Sequence, residues 1–389
     1  MAKVSILLVL IAAALAVGMV GCGPSFPPLP PSQNLEIRTW YDLDAVRDNL
    51  TGNHILMNDL DSTTAGYAEL ASPTANQGKG WEPIGTEWIG LRGTFDGQGY
   101  EVRDLFINRP DEGLVGLFGE VDRGAIIENI GVVNVTVTGK GGVGGLVGDN
   151  YGGTVSNSYC TGNVTADGGV GGLGGGNSLA GAVSNSYFAG SVTGGDYVGG
   201  LLGTNYDGSV SNCHSTGSVT GYSFVGGLIG ENLFDAVSNS YSTGSVTGNE
   251  DVGGLVGYNY GDGGTVSDSF ATGSVIGNSL VGGLVGENKL EGTVNKSYST
   301  GSVTGNSTVG GLVGLNSNAT VSNSFWDTET SGQSTSAGGT GKTTDEMQDI
   351  ATFSGAGWNI IAVGVNETDS AYIWNIVDGV TYPFLSWEA

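Results

Sequence analysis

Across residues 116–326 the chain repeats one order of apolar and polar positions. Val143-Gly-Gly-Leu-Val-Gly-Asp-Asn150 leads into Thr154-Val-Ser-Asn-Ser-Tyr159, then into Thr161-Gly162 and a short Val/Thr piece. The anchoring leucine recurs at Leu117, Leu146, Leu173, Leu201, Leu228, Leu255, Leu284 and Leu312, at intervals of 27 to 29 residues. A fixed period of that length marks a solenoid or array. Glycine and β-branched residues disfavour helix, whereas Val, Thr and Tyr suit strands. Each unit holds three strand-like pieces, such as 145–148, 154–159 and 163–165, parted by Gly/Asn/Asp corners. The pattern predicts an all-β fold: a parallel β-helix with three strands and three turns per coil. About eight coils of roughly 28 residues, stacked at about 4.8 Å, would span about 38 Å.

Two asparagine columns follow from the period. Asn150, Asn177, Asn205, Asn232, Asn259, Asn288 and Asn316 stand two places after the leucine-containing segment. Asn tolerates the left-handed backbone of a sharp corner, and amides stacked in register can bond from coil to coil. The column is read as a structural turn ladder in preference to a ligand-binding row, because its period is that of the coil. A second column runs Asn157, Asn185, Asn212, Asn239 and Asn323, interrupted by Asp268 and Lys296. The glycine pairs, such as Gly144-Gly145, leave room for a bend or for a neighbouring side chain. Strict alternation puts Val155, Asn157 and Tyr159 on one face, but aligning the first coil sets Ile130 opposite Ser158. That match, and Cys213 in the Ser158 column, point the serines inward; a bulge at the asparagine would reconcile the two readings. Tyr159, Tyr187, Tyr241, Phe270 and Tyr298 are therefore a candidate binding column if they face out, and core if they do not.

The segments Gly116-Leu-Phe-Gly119, Gly145-Leu-Val-Gly148, Gly200-Leu-Leu-Gly203, Gly227-Leu-Ile-Gly230, Gly254-Leu-Val-Gly257, Gly283-Leu-Val-Gly286 and Gly311-Leu-Val-Gly314 resemble the GLUG repeat family. Gly172-Leu-Gly-Gly175 matches less closely. The flanks fit too, with Trp81-Glu-Pro-Ile-Gly85 on one side and Tyr382-Pro-Phe-Leu385 on the other. The resemblance implies a surface-exposed β-helix of bacterial or archaeal origin, without catalytic residues of its own. Such repeats occur in large surface proteins, including immunoglobulin A proteases whose catalysis belongs to a separate metalloprotease domain.

The flanks complete the expected organisation. Residues 1–21 carry Lys3 and an apolar run before Gly21-Cys22, the pattern of a lipoprotein-type signal peptide. Met19-Val-Gly-Cys22 looks like a lipobox, with Met in place of the usual leucine and Cys22 as the lipid attachment point. Residues 22–33 form a Pro-rich tether. Residues 34–110 are read as an N-terminal cap and opening coils, with a short helix over 39–50 placing Leu43, Val46 and Leu50 on one face. Residues 111–326 are the GLUG-repeat β-helix, and 327–389 a C-terminal cap with a short helix over 344–350 and a hairpin around Asp378-Gly379. Trp40, Trp81 and Trp88 precede the repeats, and Trp326, Trp358, Trp374 and Trp387 close or follow them. Bulky rings are expected to plug the ends.

Charge narrows the partners. The formal net charge is −26, and between Gly124 and Trp326 the only basic residues are Lys140, Lys289 and Lys296. Nucleic acid needs basic clusters and is excluded. Membrane contact is expected only through the N-terminal lipid. No metal site is assigned: calcium suits oxygen ligands, but no known calcium-loop motif occurs, so calcium stays an open question and no other cofactor is expected. Asp149, Glu231 and Glu287 are read as part of a solvated acidic face. Cys160 and Cys213 sit two coils apart, beyond disulfide reach. No zinc-protease or serine-hydrolase motif accompanies the two histidines, His54 and His214. The expected function is a non-catalytic surface module of the cell envelope, secreted and lipid-anchored, that binds an extracellular glycan or protein. The alternatives are a polysaccharide lyase or hydrolase and a passive spacer. What separates the first two is a carboxylate pair in a groove and the exposure of the tyrosine column.

Overall fold

The computed structural model describes residues 34–388. The signal segment, Cys22 and the tether lie outside the described residues. The repeats wind into a parallel β-solenoid of about 8 turns, roughly 28 residues each. Equivalent residues pair one coil on: Val143 with Val170, Asn150 with Asn177, Val155 with Val183, Tyr159 with Tyr187.

Each coil contributes to four sheets, where three strands were expected. In the second coil the strands are Gly141–Val143 (sheet I), Val147–Tyr151 (sheet II), Thr154–Ser156 (sheet III) and Tyr159–Thr165 (sheet IV). The predicted piece 154–159 is split at Asn157, whose φ of 48° turns the chain. Asn185, Asn212, Asn239, Asp268, Lys296 and Asn323 repeat that turn in the left-handed region, which Asn and Asp adopt more readily than most residues. The left-handed corner thus belongs to the second asparagine column. The first column, Asn150 and its equivalents, sits inside sheet II strands, with no positive φ. The extra sheet is built from short strands beside the paired glycines, glycine-rich in Gly141–Val143 and carrying Phe224 and Val225 in Ser223–Gly226.

The repeated motif has a steric logic. A Cβ on Gly145 would come 2.1 Å from Cys160 Sγ across the core, and one on Gly172 would come 2.1 Å from Phe188. The first glycine therefore admits a facing side chain. The last glycine admits backbone: a Cβ on Gly175 would lie 2.2 Å from Val143 N, and one on Gly203 2.5 Å from Val170 N. Sheets I and II consequently press together with only hydrogen atoms between them. The leucine between the two glycines is fully buried in every coil, from Leu117 to Leu312.

The interior is layered. Val143, Leu146, Val155 and Val164 and their equivalents make apolar columns. Ser158, Ser186, Ser240, Ser269, Ser297 and Ser324 are buried too, at 0–1 % exposure, as is Cys213 in the same column. Each of these serine hydroxyls donates to the carbonyl two residues back, as Ser158 does to Ser156 at 2.7 Å, and accepts from the previous coil, as Ser186 Oγ does from Ser158 N at 3.1 Å. The inward column is the serine column, made possible by the turn at Asn157.

Both ends are closed. The helix Trp40–Asp44 is capped reciprocally by Thr39 and Asp42. Trp40 and Trp81 are fully buried, and Trp81 Nε1 donates to Leu117 O at 3.0 Å, sealing the first GLUG coil. At the other end Trp326 fills the space beside Gly311, and Ser336 Oγ accepts from the amides of Leu312 and Val313. Residues beyond Lys342 do not plug that end. The helices Thr344–Met347 and Ile350–Ser354 and a three-stranded sheet turn back along sheet IV. Met347, Phe353, Trp358, Trp374 and Leu385 pack there against Tyr241, Phe270, Tyr298 and Phe325. This segment is a side brace spanning several coils. No described helix is long and apolar enough to cross a membrane.

Candidate functional site

Three columns of side chains could carry function, and the structure separates their roles. In the first, the amides of Asn150, Asn177, Asn205, Asn232, Asn259, Asn288 and Asn316 bond in one unbroken ladder. Each Nδ2 donates to the next Oδ1 at 2.7–2.9 Å. Asn177 through Asn288 are fully buried. A second donor bond ties most rungs to a corner carbonyl, as Asn177 does to Gly181 O at 3.1 Å. The rungs satisfy one another, save the outermost Oδ1 of Asn150, which is buried without a partner, and the buried amides beyond it offer a ligand nothing.

The second column is the aromatic one. Tyr159, Tyr187, His214, Tyr241, Phe270 and Tyr298 stack ring on ring, with centroids 4.8–5.1 Å apart. They stand on the outer side of sheet IV, opposite in sense to the serines. The candidate binding column needs correction in two respects. Tyr241, Phe270 and Tyr298 are 8 %, 3 % and 1 % exposed because the side brace covers them. Tyr159 and Tyr187 stay half-buried, but their ring faces are spent on one another. Tyr159 also donates its hydroxyl to Glu101. Its edge borders a groove of about 440 Å³ lined by Asp96, Gln98, Asn129 and Asn157.

The third column was not read as a site from the sequence. It runs along the outer side of sheet II through Glu120, Asp149, Gly176, Thr204, Glu231, Tyr258 and Glu287, residues paired in register from coil to coil. Far from a solvated face, it is partly sunk beneath its neighbours. Burial pushes Glu231 and Asp251 up to about 7, and Glu120 up to about 7, where Asp122 and Asp149 add repulsion. Burial raises Asp149 as well, against two bonds from the Ser178 hydroxyl. At the N-terminal end of this column Trp88, expected to be a plug, is 70 % exposed. It overhangs a cleft of about 330 Å³ shared with Glu120, Asp149 and Tyr151. The clue in the sequence was the absence of any basic residue to match these acids between Lys140 and Lys289.

The histidines and cysteines are enclosed. His54 is fully buried and bonded to Asn49 O at 2.9 Å. His214 is sandwiched between Tyr187 and Tyr241, and burial lowers it to about 4. Cys160 and Cys213 are fully buried free thiols. Among the described residues no three His, Cys, Asp or Glu side chains are placed to hold a common metal ion.

Comparison with known proteins agrees with the repeat. The chain is similar to Halomucin of Haloquadratum walsbyi, 37 % identical over 149 residues, which is 37 % of this chain and 2 % of that protein. It is also similar to a protein of Evansella cellulosilytica provisionally named a Gly-rich membrane protein, 36 % identical over 121 residues, 30 % of this chain and 13 % of the relative. The chain thus spans a small part of the length of either. Among solved structures, a Bacteroides ovatus protein provisionally described as an immunoglobulin A1 protease aligns with a TM-score of 0.47 at 19 % identity, over 92 % of this chain and 93 % of that one. The family model described as the GLUG motif matches residues 194–220, 221–247 and 248–276. Three successive coils, spanning residues 194–276, are thus GLUG-motif repeats.

Proposed function

We propose that this chain is a non-catalytic ligand-binding module of the cell envelope, held to the membrane by a lipid on Cys22. The observation that carries the binding reading is the outer side of sheet II. It is a continuous lateral face where carboxyls lie beside exposed or half-buried rings, among them Trp88, Tyr151, Tyr206 and Tyr258. A passive spacer has no use for acids held partly out of water, since burying an unpaired carboxyl opposes folding. The non-catalytic reading draws on the enclosed histidines and thiols. The envelope location draws on the relative named as a membrane protein and on the lipobox-like Met19-Val-Gly-Cys22. The module takes an extracellular glycan or protein and no nucleic acid, and needs no cofactor. The test is an array of glycans and matrix proteins probed with the full chain, with and without calcium, followed by mass spectrometry of the arrayed glycans. Retention without cleavage is expected. Cleaved glycans would replace the reading with an enzyme, and calcium-dependent retention would add a cofactor.

A further inference from the structure

The cleft under Trp88 is built unlike the rest of the lateral face. Its tryptophan is 70 % exposed, and among the described residues no other aromatic ring packs against it. The backbone that carries the indole is nevertheless held in place. Trp88 N–H donates to Glu120 Oε1 at 3.2 Å, and Arg92 donates to Trp88 O at 3.2 Å while bridging to Asp122 at 2.7 Å. A broad apolar ring face is thus displayed on a fixed support, which solvation alone does not explain. Beneath it stand Glu120, only 5 % exposed, and Asp149, with Glu87 at the rim and Tyr151 opposite. The cleft lining contains no basic residue, and Arg92 is committed to Asp122. The cleft therefore lacks a cation. A metal ion is a poor candidate, because no three of the described acids converge on one point. An organic ammonium suits it better, since its charge is spread over several donors and attracted by an indole face as well as by carboxylates.

We propose that this cleft binds an amino sugar, with the ammonium group between Glu120 and Asp149 and the flat face of the pyranose on Trp88. The proposal rests on the reading of the chain as a ligand-binding module and names its ligand class. A volume of about 330 Å³ is at the small end of ligand pockets and wider than a single lysine chain needs. The Tyr151 hydroxyl and the Gly141-Gly142 backbone lie within the same lining to meet sugar hydroxyls. The ammonium supplies the countercharge that Glu120 and Asp149 lack in the free protein, so binding draws both toward the ionised form and takes up no other cation.

The test is calorimetric titration of the full chain, at neutral pH and low salt, with the tetramer of glucosamine, the tetramer of N-acetylglucosamine, and tetralysine. The glucosamine tetramer is expected to bind at least tenfold more tightly than its acetylated counterpart, which has the same ring but no charge. Trp88→Ala should weaken both sugars tenfold or more. Glu120→Gln, close in shape, should erase most of the preference for the amine, with far-UV circular dichroism verifying an intact solenoid in both variants. Equal affinity for the two sugars would overturn the ammonium assignment, and unchanged binding in Trp88→Ala would overturn the site. Tetralysine binding as tightly as the glucosamine tetramer would overturn the sugar in favour of a basic peptide. If array ligands are retained independently of Trp88, the module reading stands and this site falls; if nothing is retained anywhere, both fall.

Discussion

Replacing Asn205 by alanine is the sharpest probe of what holds the coils in register. Its Oδ1 accepts from Asn177 at 2.7 Å and its Nδ2 donates to Asn232 at 2.8 Å, in a position with no solvent exposure. Two amide bonds are lost, each worth about 1 kcal/mol net. The partners then fare differently. Asn177 Nδ2 keeps the Gly181 carbonyl at 3.1 Å, whereas Asn232 Oδ1 loses its ladder donor in a dry site, which costs about 1–3 kcal/mol more. The expected loss is about 3–5 kcal/mol. Two controls share the chemistry but not the place. Asn316→Ala also removes two bonds, one accepted from Asn288 and one donated to Ala319 O, but the residue is half-buried and leaves no further ladder oxygen without a donor, and its loss should cost about 2 kcal/mol. Asn212→Ala, on the outer corner at φ 53°, forfeits only a left-handed preference, about 1 kcal/mol. Coil arrays depart from two-state unfolding, so guanidinium melts should be paired with hydrogen exchange of peptides on either side of residue 205. Protection should fall in both neighbouring coils for Asn205→Ala. Equal losses for Asn205→Ala and Asn316→Ala, or an unchanged exchange pattern, would refute the ladder as the source of register.

Other tests address separate parts of the fold. Gly230→Ala would set a Cβ 2.6 Å from both Gly203 O and Val198 N, so it should cost more than about 4 kcal/mol and be seen as loss of soluble folded protein. Gly174→Val places the residue found at Val147 where only the flexible Leu202 side chain must yield, and should raise the melting temperature. Stability should depend on pH through Glu231 and Asp251, both raised to about 7 by burial. The folded chain there holds protons that the unfolded chain has released, so stability falls as pH rises from about 4 to 7 and levels off above. The loss is up to about 2–3 kcal/mol per group, and Glu231→Gln should flatten the curve measured by denaturant titration at each pH. Cys213→Ser replaces the weak sulfur acceptor that faces the Ser186 backbone N–H with the hydroxyl found elsewhere in the column, and should leave stability within about 1 kcal/mol of the parent or above it. Burial holds the Cys213 thiol up at about 12, so in the parent a thiol reagent should label it only after denaturation.

Much of the architecture could be read from the period alone. Leu117 to Leu312 mark the coils, and spacing put the Asn150 amides in register before any coordinate was known. The same spacing could not say which of two asparagines turns the backbone. Asn150 and Asn157 look alike in sequence, and only pairing along sheet II shows that the first stays extended. Sheet I escaped because its strands are only three or four residues long and run into the glycines read as a corner, as in Gly141–Val143 and Ser223–Gly226. The orientation of Ser158 was legible from Ile130 and Cys213, yet the fate of the Tyr159 column was not. Its last members are covered by residues some 60 to 150 positions further on, such as Trp358, Trp374 and Trp387, contacts with no local signature. Trp88 and Trp81 are neighbours of the same type, and what distinguishes the exposed ring from the buried plug is the loop that Arg92 and Glu120 pin outward.

The side brace also bears on how such a molecule can change over generations. Coils that exchange the same amide, hydroxyl and ring at one rise of about 4.8 Å are interchangeable units. Unequal recombination between two copies could add or delete one without a mismatch at the join. That freedom ends where the brace begins, because Trp374 and Trp358 are fitted to Phe270 and Tyr298 in particular. Trp387 extends the clamp to Tyr241 and His214, so growth and shrinkage of the array should fall on the coils that precede His214. The solenoid is a ruler graduated along one half and clamped along the other.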